Sequence, residues 1–184
     1  MRWTSLFADL EAQFEAAEVA ELEAEVRDRT RREAGLVRGV DRLRAARGAA
    51  LSVTLPGAGA VSGLLLDCGE DWLLLEQPGA REALVPLAAV LAVTGLGRRT
   101  TASEQVGQVA RRLDLRWALR GLARSRTAVQ LVLVDGSLLT GTLDRVGADH
   151  VDLAEHGAGE LRRAAAVQGV RLVPLHALAL VRQD

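Results

Sequence analysis

Lysine and tyrosine are absent from this 184-residue chain; all 23 basic residues are arginine. Aromatics make up 3% and cysteine occurs once, as Cys68. One cysteine excludes an internal disulfide and a cysteine-based zinc site, which suits a reducing cytoplasm. With so few rings, any core must rest on Leu, Val and Ala. Arginine without lysine reports a GC-rich genome rather than guanidinium chemistry. Charge of either sign is not in excess. The formal net charge is −1, so a nucleic-acid surface would have to be a local patch. Long hydrophobic runs are missing too. The longest weakly polar run, 83–97, is broken by Pro86 and falls short of the ~20 residues of a spanning helix. Asp9 and Glu11 stand where a signal peptide would carry its apolar core. Apolar residues at 49% are a globular composition, and a soluble cytoplasmic protein is the expectation.

What the chain does contain, it states twice. Residues 51–93 read LSVTLPGAGAVSGLLLDCGEDWLLL, a short loop, then VPLAAVLAV; residues 129–181 read VQLVLVDGSLLTGTLDRVGADHVDLAEH, a longer loop, then VPLHALALV. Aligning Gly63 with Gly141 gives an offset of 78, and aligning Pro86 with Pro174 gives 88. The second copy therefore carries an insertion within 157–170. Leu51, Val53 and Leu55 alternate as in a strand, and Pro56-Gly57-Ala58-Gly59 forms a turn. In the second copy Asp135-Gly136 signals a two-residue hairpin. Short strands separated by glycine turns predict a small antiparallel barrel for each copy.

Each copy follows a helix-forming segment. Residues 5–47 hold almost no breaker and predict one long helix, with Gly35 as a kink. Seven acids and no bases lie in 9–25, then eight arginines against three acids in 27–47. This suits the helix dipole; the other reading pairs the two halves antiparallel, within one chain or between two. A second helix is predicted over 104–123, capped by Ser103. The chain then divides as 1–48 long helix, 49–97 first repeat, 98–126 arginine-rich linker helix and 127–184 second repeat.

The helix-plus-five-strand unit resembles the Sm-like fold. The resemblance is carried by VQLVLVDGSLLTGTLDRVGADHVDL, in the place of the first Sm motif, and by VPLHALALV in the second, where His176-Ala177-Leu178 is similar to the Hfq-type core. It implies two separate five-stranded Sm-like or SH3-like barrels, each preceded by a helix (an α+β, mainly β protein). It also implies association through barrel edges, either with three chains making a six-barrel ring or with the two barrels of one chain packing against each other and ending the assembly there. The opening MRWTSLFADLEAQ resembles a family of actinobacterial proteins and implies no activity. Sm-type RNA sites place an aromatic or His and then a small polar residue before the third strand. Here those stretches are Asp71-Trp72-Leu73 and Asp149-His150-Val151, and Pro174 and Leu175 precede His176. Single-stranded RNA needs stacking faces and cations, and neither repeat supplies many.

His150, Asp152 and His156 alternate on one strand face, a metal-ligand spacing; Val151 and Leu153 pointing inward would make it a solvated face instead. Cys68 aligns with Val146 and reads as a core position. Gly57, Gly59 and Gly63 lack the following helix and the G-K-[ST] of a phosphate loop. No nucleophile–base spacing is present, so no enzyme, metal or cofactor is expected, and no small-molecule substrate is legible. The remaining electrostatic feature lies between Arg98 and Arg126, with eight arginines against Glu104 and Asp114. Arg112, Arg116 and Arg120 form a ridge that is either solvated or directed at phosphates. The near-zero net charge favours the solvated face.

The expected function is interaction: a scaffold that self-associates or holds a protein partner. The alternative is an RNA- or DNA-binding regulator using Arg111, Arg112, Arg116, Arg120, Arg124, His150 and His176.

Overall fold

The computed structural model describes residues 3–97, 99–100, 113–157 and 167–183, and the chain divides into two units, Met1–Arg38 and Gly39–Asp184. The first unit is one helix, α1 (Trp3–Leu36). Its long run of good helix formers is supported by ion pairs at helical spacing, Arg29–Glu33 at 3.1 Å and Arg31–Asp28 at 3.5 Å. Both pairs are exposed and worth only a few tenths of a kcal/mol each. Phe14, Val19, Leu22 and Val26 are more than half exposed. Because α1 is continuous from Trp3 to Leu36, its acidic half does not fold back on the arginines that follow within it. The single helix expected over 5–47 is interrupted at Val37–Arg38, just after Gly35, and restarts as α2 (Gly39–Ala45).

In the second unit, α2 is followed by β1 (Ala50–Leu55), β2 (Gly59–Cys68), β3 (Trp72–Gln77), β4 (Arg81–Pro86) and β5 (Ala92–Thr94). Then come α3 (Leu115–Ser125), β6 (Ala128–Leu133), β7 (Leu138–Val146), β8 (His150–Glu155), β9 (Gly169–Pro174) and β10 (Leu178–Gln183). A single 3-10 turn precedes β5 (Leu87–Ala89), and another precedes β10 (Leu175–Ala177).

These strands do not make two separate barrels, and the expected fold is corrected on this point. All ten belong to one open antiparallel sheet, ordered β5-β1-β2-β3-β4-β10-β6-β7-β8-β9. The outer edge of β4 is taken by β10, with Val181 opposite Leu84 and Arg182 opposite Ala83. Among the described residues strand β5 pairs with β1 alone, over three residues. Each half therefore satisfies its edge by joining the other instead of closing on itself.

Features of the first half recur in the second. A bulge falls between Leu65 and Asp67 and again between Leu143 and Arg145; such bulges bend the strand and sharpen its twist. The amide of Leu87 donates to the Asp71 carbonyl at 2.8 Å, as that of Leu175 does to Asp149 at 2.7 Å. The Asp135-Gly136 turn is longer than the sequence suggests, because four residues separate β6 from β7. Asp135 Oδ1 accepts from the Ser137 amide at 2.9 Å, a side-chain turn that replaces the two-residue hairpin.

Two apolar clusters sit on opposite faces of this sheet. One gathers Val53, Val61, Leu65, Leu73, Leu75 and Val85, the other Leu119, Leu131, Leu143, Val151, Leu153 and Val173. The seam exchanges residues between them. Leu84 of β4 is 5% exposed and packs in the second cluster, while Val132 and Leu180 of the second half pack in the first. Burying each such side chain contributes about 1.5–3 kcal/mol, so the halves stabilise one another.

Candidate functional site

The arginine ridge rests on α3. Asp114 caps that helix: its carboxylate accepts from the Trp117 amide at 2.8 Å, and its backbone is extended. Of the helix expected over 104–123, residues 104–112 lie outside the described residues, and the described helix starts at Leu115, after Asp114. Ser103, its expected cap, lies outside the described residues, as do Arg111 and Arg112. An Asp three residues before Trp117, ahead of an apolar stripe, was the available signal for the true start. Leu115 and Leu119 are buried, and the opposite side carries Arg116, Arg120 and Arg124.

Arg116 is not a free cation. Its Nε and Nη2 both donate to Asp114 Oδ2, at 2.8 and 2.6 Å. Burial opposes ionisation of Asp114 but is outweighed by Arg116 and the Trp117 amide, which hold the carboxyl below its usual range. Arg120 and Arg124 are exposed. The arginines of α2 are tied inward. Arg44 reaches Asp41 at 3.2 Å and Glu70 at 2.7 Å, and Arg42 donates to the Gly97 carbonyl at 3.0 Å.

Asp71 and Trp72, which the sequence resemblance set against an Sm-type base site, hold the start of α3. Asp71 Oδ1 accepts from the Leu115 amide at 2.7 Å, and Trp72 Nε1 donates to the Leu113 carbonyl at 2.8 Å. The first half thus clamps the start of the second half's helix. Burial raises the pKa of Asp71, partly offset by the Leu115 amide. Beside this clamp is an apolar hollow of about 230 Å³ between α3 and the seam, walled by Trp72, Leu84, Trp117, Leu122 and Val181.

The corresponding residues of the second half lie near its open edge. His150 Nδ1 meets Asp149 Oδ1 at 2.8 Å, and this bond holds the Asp149 carboxyl below its usual range, with His176 adding a weaker pull. His176 is exposed on its 3-10 turn. The structure therefore gathers His150 and His176 around Asp149, whereas Arg116, Arg120 and Arg124 lie on α3, which packs on β7.

His150 and Asp152 share a strand face, but His156 is withdrawn from it. It is 3% exposed, with Nε2 at 2.9 Å from Thr142 Oγ1 and Nδ1 at 3.0 Å from the Gly157 carbonyl. A carbonyl can only accept, so Nδ1 donates to Gly157, and in the neutral ring Nε2 then accepts from the Thr142 hydroxyl. Among the described residues no three His, Cys, Asp or Glu side chains are placed to hold a metal ion. Val151 and Leu153 are fully buried. Cys68 is buried in the first cluster, and burial pushes its thiol up to about 11.

Among the described residues two strand edges have no partner strand, those of β5 and β9. Val170 and Leu172 on β9 are 64% and 58% exposed, and Leu91, at the entry to β5, is 68% exposed. Their unused backbone groups and apolar side chains make them the most accessible interaction surface of the sheet. No described helix is long and apolar enough to cross a membrane. No protein-family model and no curated protein matches the chain.

Proposed function

We propose that the protein is a non-enzymatic scaffold whose chains join head to tail, the β9 edge of one copy pairing with the β5 edge of the next. One observation carries this reading. In the repeat alignment at offset 88, Leu172 corresponds to Leu84 and Val93 to Val181. Leu84 and Val181 face each other across the β4–β10 seam and are 5% and 2% exposed, whereas Leu172 is 58% exposed at a free edge. The seam is thus a template for the missing contact, with Leu172 of one chain opposite Val93 of another. A head-to-tail contact of this kind closes into a ring or propagates as a filament.

Light scattering on the size-fractionated protein tests this. The wild type is expected as a closed oligomer that Leu172→Glu converts to monomer, with an unchanged circular dichroism spectrum. A wild-type monomer at high concentration would remove the proposal. A second reading, phosphate-directed nucleic-acid binding, is favoured by the exposed Arg120 and Arg124. It predicts salt-sensitive retardation of oligonucleotides that Arg120→Glu plus Arg124→Glu abolishes. No binding at low salt removes it.

A further inference from the structure

The seam carries a second, polar cavity of about 520 Å³, lined by Gln77, Pro78, Arg81, Gln130, Arg182 and Gln183, the last two of which also reach the apolar hollow beside α3. The strand register explains its composition. Gln77 lies opposite Arg81, and Arg182 lies opposite both Ala83 and Gln130, so the pair Gln77–Arg81 and the pair Arg182–Gln130 occupy adjacent rows, two residues apart along β4. Two guanidinium groups and three carboxamides converge, and no carboxylate lines the cavity. Among the described residues none of the five makes a side-chain hydrogen bond or ion pair. Arg182 Nε is moreover shielded from solvent without any partner. A charged donor stripped of water and left unpaired is destabilising unless something arrives to accept from it.

We infer that this cavity is a binding site for a small phosphate monoester. The two arginines supply a formal charge of +2 with no acid among the lining residues, and a phosphate monoester brings about −1.5 to −2 near neutral pH. Its three terminal oxygens match fork-shaped guanidinium donors, and the glutamine amides serve the remaining lone pairs and the esterified group. Gln77 and Arg81 come from the first half and Gln130, Arg182 and Gln183 from the second, so the bound ester also bridges the seam. The site is independent of the free edges β5 and β9.

Isothermal titration of the full chain with inorganic phosphate and with glycerol 3-phosphate, at matched ionic strength against chloride and acetate, tests the assignment. Both phosphates are expected to bind saturably, and the two other anions are not. Arg81→Gln and Arg182→Gln are each expected to weaken binding about tenfold or more, while Arg120→Gln on α3 leaves it unchanged. Arg81 is exposed, so its variant decides the matter even where Arg182→Gln fails to fold. Leu172→Glu, which disrupts the proposed edge contact, leaves phosphate binding intact. Absence of saturable binding, equal binding of acetate, or equal loss in Arg120→Gln would overturn the inference.

Discussion

The indole nitrogen of Trp72 donates to the carbonyl of Leu113, 41 residues further along the chain, at 2.8 Å. The bond joins the third strand of the first half to the approach of α3 in the second, and the Trp72 ring packs in the second half's cluster. Trp72→Phe keeps most of the ring but removes the donor. It is expected to cost about 1–2 kcal/mol, against about 3–5 kcal/mol for Trp72→Ala. Urea denaturation of both variants measures the difference. No loss in Trp72→Phe would mean that the hydrogen bond contributes nothing, and equal losses that the ring contributes nothing beyond it.

Leu84 and Leu172 make a matched pair for mutagenesis. Leu84 is covered by β10, and Leu172 is 58% exposed on an open edge. Leu84→Ala is expected to lower unfolding free energy by about 2–5 kcal/mol, whereas Leu172→Ala changes it by less than about 0.5 kcal/mol. The second variant instead weakens self-association, read by sedimentation at graded concentrations. A large stability loss in Leu172→Ala at monomeric concentration would contradict the open edge.

Asp71 and Asp114, both at the start of α3, pull the pH dependence of stability in opposite directions. The Asp71 pKa is raised above 3.8 by burial, so the folded chain holds that proton more tightly and this group's contribution falls as pH rises from 3.8 through the raised value. Asp114 is lowered below 3.8, so its contribution is present above 3.8 and is lost as pH falls through the lowered value. Denaturation at a series of pH values checks both signs. Relative to wild type, Asp71→Asn gains stability with rising pH across the acid range, and Asp114→Asn loses it.

Gly57 has φ of 68°, and a side chain there would collide with the Leu133 carbonyl and with Gly136. The β1–β2 turn thus rests on the β6–β7 turn. Gly57→Ala combines a left-handed backbone, about 1–2 kcal/mol for an L-residue, with backbone contact that cannot move aside. A thermal midpoint lower by several degrees is expected. Gly59→Ala has a similar φ of 69° and open space around it, so it isolates the backbone part.

The Cys68 thiol, pushed up to about 11 by burial, leaves roughly a thousandth of the group ionised near pH 8. Aromatic disulfide reagents should therefore react with the native protein only as fast as it opens. Full reaction is expected in denaturant. Rapid labelling of the folded chain would show that Cys68 is accessible.

The local elements were written in the sequence, because their signals are local. Alternation at Leu51, Val53 and Leu55 matches β1, whose outward residues are Ser52 and Thr54, and Gly57, Gly59 and Gly136 sit at turns with positive φ. The inward direction of Val151 and Leu153, and with it the solvated face of β8, followed from period two. The start of α3 was also legible, in Asp114, but the apolar stripe that continues past it on the N-terminal side masked the cap.

Tertiary structure decided how the halves are joined, and with that the candidate sites. A repeat of five strands is compatible with closure on itself or with edge pairing to a neighbour, since both satisfy the same backbone groups. What separates them is burial on both faces of β4, where Ala83, Leu84 and Val85 are all covered, and of β10 from Leu178 to Val181. Strands buried on both sides read as unbroken apolar runs, and ALVP and LALV are such runs, yet an unbroken run does not name its partner. The meeting of the pair Gln77–Arg81 with the pair Arg182–Gln130 depended on the same step. Arg81 and Arg182 stand about a hundred residues apart in the chain, and the two pairs became neighbours only when β10 took the open edge of β4.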